Sequence, residues 1–126
     1  MTKSIIKTND KILIEVNKRG INAILVNGEI KIGEYDGVDF KEKEMKHEEF
    51  VKEIVMKVKD LMQSCNFVLS IVMSDMFYVK FLYDNKEIIA FISEDGEVTY
   101  NTEINIPDEI KVKLYDCVKG FKDIFL

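Results

Sequence analysis

Twice along this chain, a series of short β-branched segments cut by turn pairs gives way to an apolar period of three and four residues. A period of two suits a strand and a period near 3.6 suits a helix, so the pattern restricts the chain to hairpins followed by a helix, in two similar halves. In the first half Lys11–Asn17, Ile21–Val26 and Glu29–Tyr35 read as strands, separated by Lys18-Arg19-Gly20 and Asn27-Gly28. Asn-Gly readily takes the positive φ angles of a type I′ turn, and Asp36-Gly37 repeats the signal before a short strand at Val38–Phe40. Asp39 and Glu42 also fit a capping box, which would instead start the helix at Phe40. From His47 to Cys65 the apolar residues Phe50, Val51, Ile54, Val55, Val58, Leu61, Met62 and Cys65 fall on one stripe of an amphipathic helix, with Glu53 and Lys57 on its solvated side.

The second half repeats the plan. Phe67–Ser74, Met76–Asp84, Lys86–Ser93 and Glu97–Tyr100 read as strands, punctuated by Ser74-Asp75, Asp84-Asn85 and Asp95-Gly96. Pro107 suits a first helical position, Asp108 and Glu109 lie where the helix dipole favours anions, and Ile110, Leu114, Cys117, Val118, Phe121 and Ile124 form the apolar stripe. Ala23–Ile32 loosely echoes Ala90–Tyr100, either through duplication or because two hairpins obey the same turn chemistry. The expected fold is α+β: antiparallel β-meanders of about seven strands, two helices packed on one sheet face, and a β-meander-α pseudo-repeat. At 126 residues this is a single domain, 1–126.

The strands carry more apolar residues than one buried face needs. Phe67, Leu69, Ile71 and Met73 alternate with Val68 and Val72; Phe77, Val79, Phe81 and Tyr83 alternate with Met76, Tyr78, Lys80 and Leu82; Ile88, Ala90 and Ile92 stand opposite Ile89 and Phe91. Strands apolar on both sides are normally buried on both, and two helices cover only one face of a sheet this size. The other face needs the N-terminal meander as a second layer, a twin subunit, or a different partner. Tyr78 and Lys80 are the candidate contact residues there, because a tyrosine beside a lysine on an apolar face resembles interface chemistry.

Charge narrows the partner. The net charge is −5, and Arg19 is the only arginine among 18 basic residues, which equips the chain poorly to grip phosphates and excludes direct nucleic-acid binding from the expectation. The deficit lies in residues 67–126. Within them, residues 84–109 hold Asp84, Glu87, Glu94, Asp95, Glu97, Glu103, Asp108 and Glu109 against Lys86 alone. That run reads either as solvated hairpin tips plus the acidic first turn of a helix, or as a surface steering a basic partner by imitating phosphates. Glu94, Asp95 and Glu97 are its candidate contact residues.

The searched-for chemistry does not assemble. His47 is the single histidine and lacks the second histidine of an H-E-x-x-H site, while Cys65 and Cys117 form no C-x-x-C and read as buried thiols on the two helix stripes. The glycines form no phosphate loop, and no serine lies in a G-x-S-x-G elbow. No catalytic residue, cofactor or metal site is expected, although Glu94, Asp95 and Glu97 could adsorb a cation. No apolar run reaches the ~20 residues of a membrane helix and the first ten residues lack a secretory apolar region, so a cytoplasmic location is expected. The lysine and isoleucine excess fits an AT-rich genome. Together these features suggest an acidic cytoplasmic module that inhibits or antagonises a protein partner, as anti-defence or immunity factors of phages and mobile elements do. The partner could itself carry a basic nucleic-acid-binding surface, and the module is expected to be a homodimer. The rival readings are a small-ligand-binding or enzymatic domain with a pocket between helices and sheet, and a purely structural homodimer.

Overall fold

The computed structural model describes residues 3–7, 11–16, 21–26, 29–35, 39–42 and 48–125. The first half comprises β1 (Lys3–Lys7), β2 (Lys11–Val16), β3 (Ile21–Val26), β4 (Glu29–Tyr35), β5 (Phe40–Glu42) and α1 (Glu48–Ser64). The second comprises β6 (Val68–Met73), β7 (Phe77–Tyr83), β8 (Lys86–Ile92), β9 (Val98–Tyr100) and α2 (Asp108–Phe125). The fold is α+β, as the periodicity predicts. The described strands form one sheet in the order β5-β4-β3-β2-β1-β6-β7-β8-β9, with every pairing antiparallel.

This order answers how the two halves meet. Each meander steps outward from a central seam, where β1 lies against β6 with Ile5 opposite Ile71. The N-terminal meander therefore extends the sheet sideways and does not fold over it as a second layer. A single transverse row crosses eight strands: Ile32, Ala23, Ile14, Ile5, Ile71, Val79, Ala90 and Tyr100. Its six inner members are fully buried. The weak echo between Ala23–Ile32 and Ala90–Tyr100 is thus a positional equivalence, since Ala23 pairs with Ile32 and Ala90 with Tyr100, each pair at the same distance in strands from the seam.

The helices cover the face that this row belongs to. α1 lies over β3 and β4, burying Val51, Ile54, Val55, Val58 and Met62. α2 buries Leu114, Cys117, Val118, Phe121 and Phe125, with Phe121 meeting Phe77 of β7 edge to face at 5.9 Å. The helices also touch each other, and Gly120 lets α2 come so close that a β-carbon there would stand 2.6 Å from Leu61 Cδ1.

Several local expectations need correction. β1 is a strand that the reading of residues 1–10 did not anticipate, and it is the strand that joins the halves. Phe40 starts β5 and not a helix. Phe50 is 51% exposed, outside the buried stripe of α1. In β6 the strict alternation fails: Val68 pairs with Phe81 and Ser70 with Lys80, so an irregularity between them puts Val68 and Ile71 on the same buried face. The turns at Lys18-Arg19-Gly20, Asn27-Gly28 and Asp36-Gly37, and His47, lie outside the described residues. The Asp84-Asn85 turn matches expectation, with φ of 51° and 60° linking the paired Tyr83 and Lys86.

Candidate protein-docking face

With both helices on one side, the alternate residues of β1, β7 and β8 point to the other. Register places Ser4, Val72, Tyr78, Phe91 and Thr99 in one row of this open face, and Leu13, Ile6, Ser70, Lys80 and Ile89 in the next. Ile6 is 38% exposed and Leu82 is 43% exposed, while Leu13, Val72, Tyr78, Ile89 and Phe91 are half-buried by their own neighbours in the sheet. Apolar side chains thus stand on this face in β2, β1, β6, β7 and β8, with Ser70, Lys80 and the buried Ser4 among them.

The two predicted sheet residues are both here. Tyr78 sits directly across from Phe91, ring to ring at 5.4 Å and 86°, an edge-to-face pair that stiffens both side chains at the surface. Lys80 reaches diagonally to Glu87, Nζ to Oε2 at 3.5 Å, on a pair whose side chains are 43% and 60% exposed. A second exposed pair, Lys31 to Glu42 at 3.6 Å, links β4 to the edge strand β5. Such exposed pairs add only ~0.2–1 kcal/mol to stability, and Lys80 brings its charge among the apolar residues of β7 and β8.

The three predicted carboxylates lie elsewhere. Ser93 and Glu97 close the β8–β9 hairpin, with the Ser93 N–H donating to the Glu97 carbonyl at 3.0 Å and the Glu97 N–H donating to Ser93 Oγ at 3.1 Å. Gly96 takes φ of 85° at the tip, a conformation that favours glycine. Glu94, Asp95 and Glu97 are all exposed on this tip, yet the tip leans toward the helix layer. Gly96 lies under the Tyr115 ring, and Glu94 lines two open grooves with Lys122 of α2, one of about 280 Å³ and one of about 140 Å³. Lys122 Nζ also stands 5.3 Å over the Phe77 ring. The five candidate residues thus divide between an open sheet face and a hairpin tip at its end, with lysines of α2 beside the tip.

Sequence reasoning missed Ile6, because β1 was missed, and Glu87 as the partner of Lys80. The diagonal offset of Lys80 and Glu87 across the Asp84-Asn85 hairpin was the available signal. Among the described residues no three histidine, cysteine, aspartate or glutamate side chains gather as a metal site. No helix there is long and apolar enough to cross a membrane. The Tyr100 hydroxyl, on the helix side, is buried with no hydrogen-bond partner among the described residues, and burial, followed by the nearby Tyr115 and Asp108, pushes its pKa up. Comparison with protein-family models, curated proteins and solved structures finds no match to this chain.

Proposed function

We propose that this chain is a protein-binding module of the inhibitor or antagonist type, which docks on its partner through the open face of the sheet. The observation that carries this reading is the set of apolar side chains on the open face, Leu13, Ile6, Val72, Tyr78, Leu82, Ile89 and Phe91, of which Ile6 and Leu82 are exposed, interspersed with Ser70 and the Lys80–Glu87 pair. Aromatic and aliphatic side chains set among a few polar ones are common in protein interfaces. The acidic run from Asp84 to Glu109 supports a partner whose own rim is basic, since opposite charge speeds encounter and fixes orientation.

The test is capture of partner from a source lysate by the intact chain and by variants, with bound proteins quantified against bait. Ile6→Asp with Leu82→Asp should abolish a stoichiometric partner, whereas Val112→Asp, at a 59% exposed position on α2, should retain it. Reversing Glu94, Asp95 and Glu97 to lysine should weaken capture and flatten its salt dependence. Equal recovery by the Ile6 and Leu82 double variant contradicts docking through this face. A two-copy mass that falls to one copy in that variant, with no other protein recovered, favours the structural homodimer instead.

A further inference from the structure

The two cysteines, far apart in sequence, are brought together where the helices meet. Cys65 occupies the turn that ends α1, held by its N–H donating to the Leu61 carbonyl and by its own carbonyl accepting from the Val68 N–H, both at 2.9 Å. Cys117 lies in the middle of α2. Leu61 faces Gly120 just as Cys65 faces Cys117, so the helices run antiparallel at this contact, and the missing side chain at Gly120 sets their close approach. Both thiols are free and buried, Cys117 completely and Cys65 with 6% exposure, and each is the largest influence on the other's pKa.

We infer that Cys65 and Cys117 form a peroxide-reactive pair, with Cys65 the attacking sulfur and Cys117 the resolving one, whose disulfide ties the end of α1 to α2. Three observations set these roles. Cys65 is the less buried sulfur and belongs to a terminal turn, where helices open most readily. The hydrogen bond from Cys117 holds the Cys65 thiol below its ordinary pKa, against burial and the nearby Asp116. The same contact, with burial, drives Cys117 the other way, so it keeps its proton until it is needed.

The chemistry balances with a hydroperoxide as oxidant. The Cys65 thiolate attacks one peroxide oxygen, the O–O bond breaks, and the departing hydroxide leaves as water after protonation, giving a sulfenic acid. The Cys117 sulfur then gives up its proton and attacks the Cys65 sulfur. The S–O bond breaks and hydroxide leaves with that proton as a second water. Two thiols are oxidised and one peroxide is reduced.

The experiment treats the folded chain with millimolar hydrogen peroxide, alkylates free thiols in denaturant and maps the peptides. The expected result is one intramolecular cross-link between the Cys65 and Cys117 peptides, reversed by dithiothreitol, with a thermal midpoint raised by about 10 °C. Two alkylatable thiols after treatment, or a cross-link between chains, overturns the proposal. In Cys117→Ala a dimedone adduct should appear at Cys65, more slowly than the cross-link forms in the parent chain. In Cys65→Ala no adduct should appear at Cys117. An adduct there, or unchanged oxidation of Cys65 in Cys117→Ala, overturns the assigned roles. Serine at either position provides a second variant if alanine impairs folding.

Discussion

Tyr100 ends the buried transverse row, and its phenol packs near Phe81 at 6.3 Å with an unpartnered hydroxyl. A buried hydroxyl without a partner costs ~1–3 kcal/mol, so Tyr100→Phe should raise unfolding stability by about 1 kcal/mol, measured by urea titration. The same residue sets an alkaline limit. Its folded pKa is raised above the ordinary value of 10.0, so the folded state holds the proton more tightly than the unfolded chain. That contribution is complete below pH 10 and is lost as pH rises through the folded pKa. Stability should therefore fall above pH 10 in the parent chain and fall less steeply in Tyr100→Phe, and equal slopes would contradict the assignment. Residue-scale features were legible where alternation was clean: Tyr78, Lys80 and Leu82 stand opposite Phe77, Val79 and Phe81 as β7 demands. Phe50 was not legible, because a periodic stripe gives a direction on a helix and not where the covered sheet ends.

At the scale of elements, turn chemistry gave the clearest signals. Asp84-Asn85 and Asp95-Gly96 sit where hairpins need positive φ, and both ends of α2 follow their capping and charge preferences. Two features had no such signal. β1 contains only Ile5 and Ile6 between polar neighbours, too short a run to show a period, and its strand character comes from pairing on both sides with β2 and β6. The irregularity between Val68 and Ser70 falls in a segment where every residue but Ser70 is apolar, so parity leaves no trace. Gly33 offers a direct test of how the far edge is held. A β-carbon there would overlap the Lys41 carbonyl oxygen at 1.9 Å, so only glycine lets β5 approach β4 this closely. Gly33→Ala should destabilise the fold by about 1–3 kcal/mol and speed amide exchange at Phe40–Glu42, while exchange in β7 and β8 stays slow. Unaltered exchange at β5 would show that the pairing tolerates the methyl group.

For the whole molecule, the excess of apolar strand residues turns out to be a property of one wide sheet. Both halves contribute strands to it and helices to one side of it, so the helices bury a row of side chains that crosses the seam while the opposite face keeps Ile6 and Leu82 exposed and Val72, Tyr78, Ile89 and Phe91 half-buried. The sequence carried the surplus and the pseudo-repeat, but strand order depends on β1, and the edge-to-edge joining of the halves could not be read without it. The proposed docking role requires that Ile6 and Leu82, both exposed on the open face, contribute little to the stability of the chain itself. Equilibrium urea unfolding of the Ile6→Thr, Leu82→Thr double variant beside Phe81→Ala tests it most directly, since threonine keeps strand propensity and Phe81 is fully buried on the helix side. The expected losses are about 1 kcal/mol or less for the double variant and about 3–5 kcal/mol for Phe81→Ala. A double variant as destabilised as Phe81→Ala would mean that the open face is part of a folded core, and would contradict the account.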